Sequence, residues 1–332
     1  MAQRLRWGIL GTGSIAHQFA EGLPLSKTGE LVAVGSRTLE RAEAFCAKRG
    51  GRAEGSYEAV LANPDVDVVY IATPHHMHMR DTIAVAHAGK GVLCEKPFTL
   101  NAQQAEKALA SVHDAGVFFM EAFMYRCTPQ TAKVREWIDS GLIGEVKVVN
   151  AEFAWRADEN WTNFRNDPAL GGGGLMDVGA YCVSLARLAF GEEPSDAFYI
   201  SERGANGVDR IGCGLLRFSR NRSAIFANGI GVQCQNDAAI YGDKGRIHIE
   251  SPWKQYKGSK IHRYAGNDLA ESLDLSVTNP QLYAHEADAV AAFFEAKQCP
   301  FVTHEDTLQQ ARTLDKLRKS AGIVFEAELG NS

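Results

Sequence analysis

A glycine-rich hexapeptide near the start of the chain constrains the fold more than any other sequence feature. Residues 11–16 follow an apolar run directly and open a helical pattern. Gly11 permits a tight turn, Gly13 lets a phosphate group approach the backbone, and Ala16 permits close packing of helix on strand. The free N–H groups of the first helical turn favour the same ligand. The hexapeptide therefore predicts a strand–turn–helix unit that binds a dinucleotide. The residues predicted to contact it are Gly11, Thr12, Gly13, Ser14 and Ile15.

Strand-like and helical runs alternate through the first 123 residues. The strand candidates are short and rich in Val, Ile and Phe: Leu5–Leu10, Leu31–Gly35, Val66–Ala72, Val92–Cys94 and Val117–Met120. The helix candidates between them are Ser14–Leu23, Leu39–Arg49, Met77–Ala88 and Ala102–Ala115. Such alternation predicts a parallel sheet with helices on both faces. We therefore predict an α/β chain in which residues 1–123 form a doubly wound Rossmann domain.

The pattern changes after Phe123. A helix predicted over Pro129–Ser140 leads into a strand over Glu145–Trp155, and the glycine run at 171–174 opens a helix that ends near Gly191. Further strand candidates are Ala197–Glu202, Ile211–Phe218, Ser223–Ile230, Ala238–Tyr241 and Arg246–Glu250, and two helices, about Gln281–Lys297 and Glu305–Ala321, close the chain. Residues 124–332 are therefore predicted to form a substrate-binding and oligomerisation domain of the α/β class on a mostly antiparallel, open sheet.

Composition excludes several classes of protein. The 35 basic and 40 acidic residues are dispersed and give a net charge of −5, which predicts neither a nucleic-acid partner nor an anionic membrane. No segment approaches the length of a membrane span, and the first ten residues lack the apolar core of a signal peptide. The seven scattered cysteines are typical of reduced thiols. We therefore expect a cytoplasmic protein without a membrane association.

Two widely separated segments carry the candidate catalytic residues. Lys96 follows the strand Val92–Cys94, and the carboxyl ends of strands in an open parallel sheet face the ligand crevice. Asp177 and Tyr181, on the helix after the glycine run, are four residues apart and share one helix face. We predict that Lys96, Tyr181 and Asp177 are catalytic.

The order of these motifs resembles the glucose–fructose oxidoreductase / inositol dehydrogenase (Gfo/Idh/MocA) family. The features that carry the resemblance are the hexapeptide, the Glu-Lys-Pro sequence at 95–97, the Asp-x-x-x-Tyr helix, Thr73-Pro74 followed by His78, and the turn at 242–245. The segments Met120–Arg126 and Asp167–Leu170 are similar to a branch that holds NADP-dependent D-xylose dehydrogenases and dimeric trans-dihydrodiol dehydrogenases. The resemblance runs from about Leu5 to Ala321.

The resemblance implies roles for residues that the motifs alone leave open. It implies that the lysine and the tyrosine act on the substrate hydroxyl. It also implies a cofactor cleft lined by Thr73, Pro74, His75, His78, Glu95, Lys96, Arg165 and Tyr283. A hydride can leave an alcohol carbon only as the hydroxyl proton is removed. A tyrosine phenol, with an unperturbed pKa of about 10, accepts that proton more readily when an ammonium group is near. Asp177 would orient Lys96 or bind a substrate hydroxyl.

The residues after the second strand bear on the choice of cofactor. NAD-binding domains usually carry Asp or Glu about 20 residues beyond the hexapeptide, but this chain has Ser36 followed by Arg37. Thr38 is a predicted N-cap, so Arg41 falls in the first turn of the next helix. Both guanidinium groups could bind a 2′-phosphate, and otherwise they are solvated arginines on an exposed turn. The pattern favours NADP over NAD and adds Ser36, Arg37 and Arg41 to the predicted cofactor site.

Two further features have less bearing on function. His75, His76 and His78 lack a nearby cysteine or carboxylate to complete a tetrahedral set, so we expect no metal site. Trp155, Trp161 and Phe164 are consistent with a sugar-stacking wall or with core packing.

The hypothesis that these patterns favour is an NADP-dependent oxidoreductase that transfers a hydride between nicotinamide and a carbohydrate or polyol hydroxyl carbon, for example from aldose to lactone. A dicarbonyl-sugar reductase and a trans-dihydrodiol dehydrogenase stay open, because both need the same acid/base pair. A non-catalytic NADP-binding sensor is the alternative of another class. We also expect a homodimer or higher oligomer through the C-terminal sheet, since its strands carry apolar residues on both alternations.

Overall fold

A computed structural model describes residues 4–325 and divides the chain into two compact units. One unit contains residues 4–128 together with Thr278–Leu308, and the other contains Pro129–Val277 together with residues 309–325. This division differs from the predicted domains, 1–123 and 124–332, mainly in where Thr278–Leu308 belongs. The outermost residues of those predicted domains, 1–3 and 326–332, lie outside the described residues.

The first unit is built on a six-stranded parallel sheet in the order β3-β2-β1-β4-β5-β6. Its strands are β1 (Leu5–Leu10), β2 (Gly29–Gly35), β3 (Arg52–Glu54), β4 (Val68–Ile71), β5 (Gly91–Glu95) and β6 (Phe119–Ala122). The strand order reverses between β1 and β4, and ligands of such sheets bind outside the carboxyl ends at that reversal. The predicted Rossmann sheet is therefore confirmed.

The second unit is built on an eight-stranded sheet in the order β14-β13-β12-β11-β7-β10-β9-β8. Its strands are β7 (Val146–Ala154), β8 (Asp196–Arg203), β9 (Asp209–Arg217), β10 (Ser223–Gly229), β11 (Ala238–Gly242), β12 (Gly245–Ile249), β13 (Lys260–Ala265) and β14 (Asp268–Asp274). The pair β7–β10 is parallel, and the other neighbouring strands are antiparallel. The predicted mostly antiparallel sheet is confirmed.

Helices cover the two sheets. They are α1 (Ser14–Gly22), α2 (Leu39–Arg49), α3 (Tyr57–Ala62), α4 (His78–His87), α5 (Ala102–Ala115), α6 (Pro129–Asp139), α7 (Ala180–Phe190), α8 (Asn279–Phe293) and α9 (His304–Ser320). Side chains define several of the ends. The Ser56 hydroxyl accepts a hydrogen bond from the Ala59 N–H before α3, and the Asn101 side chain accepts one from the Gln104 N–H before α5. Gly191, at φ +64°, ends α7 near its predicted end.

Helix α8 belongs to the first unit, although it follows the second sheet in sequence. The Asp288 carboxylate accepts hydrogen bonds from the Ser26 and Thr28 hydroxyls, each 2.6 Å long. A side chain at Gly22 on α1 would collide with the Pro280 carbonyl. These contacts join α8 to α1 and to the loop that follows it, which is why the contact-defined unit takes in a segment that the sequence pattern assigned to the C-terminal domain.

One helical stretch corrects an expectation from composition. The stretch Pro168–Phe190 is 23 residues long and apolar enough, by length and composition, to cross a membrane. The statement that no segment approaches that length is therefore wrong for this stretch, because short helical turns run on into α7. Inside the protein, 89% of its most apolar part is buried, as in a core helix.

Candidate active site

The glycine turn after β1 leaves space for a ligand at the N-terminus of α1. Gly11 has a φ of +101°, and a Cβ there would lie 2.7 Å from the Ala72 carbonyl oxygen, so a larger residue does not fit. Gly13 is the N-cap, and within residues 4–325 no atom beyond its chain neighbours lies within 4 Å of the position a Cβ would occupy. As a glycine, this N-cap offers no side-chain acceptor to the N–H groups of the first turn of α1. This open, uncapped turn fits a pyrophosphate.

The end of β2 carries the residues predicted to face the adenosine ribose. Ser36 is buried, and its hydroxyl lies 3.4 Å from that of Thr12 on the glycine turn. Arg37 is exposed, and Arg41 is exposed in the first turn of α2, whose N-cap is Thr38 as predicted. Neither arginine forms a salt bridge within residues 4–325. Both guanidinium groups are therefore available to an anionic ligand at this edge.

Lys96 follows β5 directly and is buried in a loop that His78 connects to the neighbouring strand. The His78 ring is fully buried, with Nδ1 2.9 Å from the Pro97 carbonyl oxygen and Nε2 2.8 Å from the Thr73 carbonyl oxygen. Burial lowers the pKa of His78. A neutral ring can donate to only one of these carbonyl groups at a time. His78 thus joins the end of β4 to the loop of Lys96, a structural contact beyond the cleft-lining role that the resemblance implies.

Other residues of the predicted cleft have defined partners at the same strand ends. The Thr73 hydroxyl donates to the Asp81 carboxylate at 2.7 Å, and the Tyr70 hydroxyl donates to the buried Glu95. Pro74 precedes the short turn of His75, whose buried ring lies 5.7 Å from the His78 ring. Within the described residues, no group of three or more His, Cys, Asp or Glu side chains is placed to hold a metal ion.

Helix α8 brings Tyr283 to α1 within the first unit. The Tyr283 hydroxyl donates to the Gln18 side-chain oxygen at 3.3 Å, and the Asn279 amide donates to the same oxygen at 3.1 Å. Sequence reasoning missed Gln18. Its position one turn after Ser14, on the helix that begins at the glycine turn, was the available signal.

A buried carboxyl group lies one turn after Tyr283. Glu286 is fully buried, and neither of its side-chain oxygens has a hydrogen-bond partner within residues 4–325. Burial raises the pKa of Glu286 well above its usual range, and the Glu95 carboxyl adds to the effect. No sequence pattern pointed to this group.

In the second unit, Asp177 forms the centre of a polar cluster. Its Oδ1 accepts a 2.8 Å hydrogen bond from the Arg165 guanidinium Nε, and its Oδ2 accepts a 3.3 Å bond from the Trp155 indole. Asp177 is buried and ion-paired. The sequence suggested Arg165 only through the family resemblance, as a residue of the cofactor cleft. In the structure its guanidinium forms an ion pair with Asp177.

Tyr181 lies on the same segment, but the local helix differs from the expected one. Residues Leu175–Gly179 form a π-helical turn, and α7 begins at Ala180, so an uninterrupted α-helix does not join Asp177 to Tyr181. π-turns are frequent at functional sites. The Tyr181 ring is buried against Phe153 and Trp253, with ring centroids 5.2 and 5.8 Å away. Its phenol is thus fixed by aromatic packing.

Aromatic and amide side chains surround a cavity beside this cluster. The cavity has a volume of about 550 Å³, and its lining includes Trp161, Phe164, Asn163, Asn166 and Asn206. The Trp161 ring packs edge-on against Trp155 at 5.1 Å. An aromatic wall among amide groups suits a polyhydroxylated ligand, which supports the stacking alternative for Trp161 and Phe164.

The fold and its glycine turn define a dinucleotide-binding oxidoreductase, and two family models match the chain. The first is described as the oxidoreductase family with an NAD-binding Rossmann fold and matches residues 5–123. The second is the Gfo/Idh/MocA C-terminal domain and matches residues 131–248. The chain belongs to the Gfo/Idh/MocA oxidoreductase family, which confirms the predicted resemblance and the predicted enzyme class.

Several named proteins are similar over nearly the whole chain. Trans-1,2-dihydrobenzene-1,2-diol dehydrogenase of Bos taurus is 32% identical over 97% of this chain and 98% of the relative. A 3-ketoreductase from Actinomadura kijaniata, solved with NADP and TDP-benzene, has a TM-score of 0.85 at 28% identity, with 96% of this chain and 98% of that chain covered. An aldose–aldose oxidoreductase from Caulobacter crescentus, solved with glycerol, has a TM-score of 0.87 at 26% identity and the same coverage.

Proposed function

We propose that the chain transfers a hydride between NADP and a hydroxyl-bearing carbon of a carbohydrate or polyol, for example in the oxidation of an aldose to its lactone. The observation that carries the proposal is one segment that bears both the buried Asp177 carboxylate, ion-paired with Arg165, and the buried Tyr181 phenol, packed against Phe153 and Trp253. The aromatic and amide cavity beside it supports a polyhydroxylated substrate.

The chemistry divides between the cofactor and the chain. When bound, nicotinamide supplies the hydride acceptor or donor. In the proposal, Tyr181 exchanges the hydroxyl proton and Lys96 favours its phenolate form. Asp177, held by Arg165, binds a neighbouring substrate hydroxyl. Gly11, Gly13 and the first turn of α1 would hold the pyrophosphate. The rest of the cofactor would be surrounded by the predicted cleft residues Thr73, Pro74, His75, His78, Glu95, Lys96, Arg165 and Tyr283.

Two observations support NADP as the cofactor. Ser36 offers no carboxylate to a free 2′-hydroxyl, and the exposed Arg37 and Arg41 have no salt bridge within residues 4–325. A 2′-phosphate would accept hydrogen bonds from both guanidinium groups. The ketoreductase with a similar fold was solved with NADP.

A second candidate is a trans-dihydrodiol dehydrogenase, favoured by the identity to the bovine relative of that name. It needs the same proton and hydride transfers on a different diol. A dicarbonyl-sugar reductase would run the same chemistry in the opposite direction. A non-catalytic NADP-binding sensor is disfavoured because both Lys96 and Tyr181 are present.

The proposal includes a dimer or higher oligomer through the second sheet. One face of β8, β9 and β10 presents a patch of exposed apolar side chains, formed by Phe198, Ile200, Leu215 and Ile225. Phe198 and Ile225 both pair with Leu215 in register, so three of them form a continuous row. Ile200 is 75% exposed, which favours its burial by a second copy of the chain.

A cytoplasmic location without nucleic-acid or membrane partners completes the proposal. All seven cysteines carry free thiols, which suits a reducing compartment.

A substrate panel tests the proposed function. D-Xylose, D-glucose, dihydrodiols and 1,2-dicarbonyls are each offered with NADP(H) and NAD(H), and the absorbance of the reduced cofactor reports turnover. We expect the highest kcat/KM with an aldose and NADP. Higher kcat/KM with a dihydrodiol or a dicarbonyl selects the corresponding alternative, and cofactor binding without turnover of any of them selects the sensor.

A further inference from the structure

We infer that Asp209 is a positioning residue for the catalytic segment, and that only its ionised carboxylate holds that segment in its active geometry. The inference rests on the proposed function, because it assigns the segment of Asp177 and Tyr181 to the reaction. Asp209 lies at the start of β9 and is buried, and its carboxylate bonds Leu175 and Tyr199 rather than one of the proposed reacting groups.

One oxygen of Asp209 accepts two hydrogen bonds. Oδ2 accepts from the backbone N–H of Leu175 at 2.7 Å and from the Tyr199 hydroxyl at 2.9 Å. Leu175 is the first residue of the π-turn, and Asp177 follows two residues later. The carboxylate therefore fixes the N-terminal end of the segment that carries the candidate catalytic residues.

A further buried side chain, that of Asn228, supports this contact, and we call Asp209, Tyr199 and Asn228 the anchor. The Asn228 amide on β10 donates to the Tyr199 hydroxyl at 3.0 Å, so that hydroxyl is oriented to donate to Asp209. Asn228 also packs against the segment itself. A Cβ at Gly179 would lie 3.0 Å from its Cγ, and a Cβ at Gly174 would lie 3.2 Å from its Nδ2.

The glycine run allows this close approach. Gly173 has a φ of +127°, and a Cβ there would collide with Oδ1 of Asp209. The Gly173 N–H donates to the Arg165 carbonyl at 2.9 Å, and its own carbonyl accepts from the Asp177 N–H at 3.0 Å. The glycine run therefore joins the anchor to both members of the Arg165–Asp177 pair.

The anchor is sensitive to protonation. Burial raises the pKa of Asp209 to about 6, against the opposing effects of the hydrogen bonds from Leu175 and Tyr199. The groups that face it are Tyr199 and Arg203 on β8, the backbone of the π-turn, and the non-titrating Asn228 on β10. Hydrogen bonds to an ionised acceptor are roughly twice as strong as neutral ones. Protonation therefore weakens the hold on Leu175.

The pH profile of kcat/KM tests the role. The wild type should lose activity as pH falls through about 6. Asp209→Asn cannot ionise, so it should show the lower activity of the protonated wild type at every pH, without the acid limb. Tyr199→Phe removes a donor to the carboxylate, so its limb should move to higher pH. The control Asp196→Asn, at a half-exposed carboxylate on β8, should keep the wild-type profile. An unchanged acid limb in Asp209→Asn would overturn the inference.

Amide hydrogen exchange separates this inference from the proposed function. After correction for intrinsic exchange rates, protection of residues 173–181 should fall below pH 6 in the wild type and stay constant in Asp209→Asn. This readout needs no substrate, so it remains decisive if the panel shows no turnover. If Asp209→Asn does not fold, the same exchange measurement is made on Tyr199→Phe. Protection that does not depend on pH in either Tyr199→Phe or the wild type would contradict the role of Asp209.

Discussion

The guanidinium Nε of Arg165 lies 2.8 Å from Oδ1 of Asp177, and both side chains are largely withdrawn from solvent. Removing one partner of a buried ion pair leaves the other charge uncompensated, which costs more than replacing both. Arg165→Met should therefore destabilise the fold by about 3 kcal/mol. The double variant Arg165→Met/Asp177→Leu should recover most of that stability but no activity.

Denaturant unfolding measures the stability of the wild type, Arg165→Met and the double variant, and turnover measures their activity separately. Recovery of activity along with stability in the double variant would show that the pair serves folding alone.

The Tyr181 phenol offers a direct test of proton transfer. Tyr181→Phe keeps the aromatic packing against Phe153 and Trp253 but removes the hydroxyl. We expect kcat to fall by about 10²–10⁴-fold, as is typical when a general acid/base is lost. The dissociation constant of NADPH, measured by fluorescence, should stay unchanged. Tyr256→Phe, at an exposed position, is the control, and a Tyr181→Phe enzyme with near-normal kcat would remove this residue from the mechanism.

Charge at the end of β2 should decide between the two cofactors. Arg37→Ala with Arg41→Ala should raise KM for NADP by well over tenfold, because each lost charge-assisted hydrogen bond is worth about 1.5–3 kcal/mol. KM for NAD should change little. Arg4→Ala alters the same charge at the opposite end of β1 and should affect neither constant. Unchanged NADP kinetics in the double variant, or higher kcat/KM with NAD in the native enzyme, would refute the assignment.

The exposed row on the second sheet predicts the state of assembly. Leu215→Arg places a charge at the centre of the row, beside Phe198 and Ile225, and should convert the oligomer to a monomer. Light scattering at micromolar concentration measures the change. Leu269→Arg, at an exposed position on β14, is the matched control and should leave the mass unchanged. A native protein that is already monomeric at this concentration contradicts the prediction.

Glu286 predicts a pH-dependent stability in the first unit. Burial raises its pKa in the folded state, so the unfolded state ionises first as pH rises. The contribution of neutral Glu286 to the free energy of unfolding is fully present below its pKa in the unfolded state, about 4.5. This contribution is lost as pH rises towards its pKa in the folded state. Glu286→Gln cannot ionise. Its Tm should equal that of the wild type near pH 4 and exceed it increasingly up to pH 8.

Thermal unfolding of the wild type, Glu286→Gln and the exposed control Glu43→Gln gives the comparison. If the Tm difference between Glu286→Gln and the wild type does not grow with pH, an interaction other than protonation offsets the cost of burying the Glu286 carboxyl group.

Strand and helix periodicity predicted most of the fold because apolar burial dominates both. β1 and α2 begin and end where the pattern places them. The elements missed were β3, α3, β13 and β14. β14 is an edge strand with largely exposed side chains, so it lacks the apolar alternation that identifies a buried strand. β3 is only three residues long.

The candidate site was less accessible to sequence reasoning where it depends on long-range contacts. The glycine turn and Lys96 follow from local motifs, because strand ends in a parallel sheet have a known orientation. Asp209 and Asn228 reach the catalytic segment from two strands of the sheet, and Glu286 enters the first unit on a distant helix. No spacing along the chain encodes these contacts.

The return of α8 to the first unit has a consequence for how the protein is made. Synthesis proceeds from the N-terminus, so this helix leaves the ribosome only after every strand of the second sheet. Until then, the nucleotide-binding unit lacks the Asp288 carboxylate that binds Ser26 and Thr28, and the surface of α1 around Gly22 has no cover. The N-terminal unit of a nascent chain is therefore incomplete when it emerges and matures only after the second sheet has been synthesised. A fragment that stops at Thr128 reproduces this unfinished state, and an engineer who transplants the unit must carry Thr278–Leu308 with it.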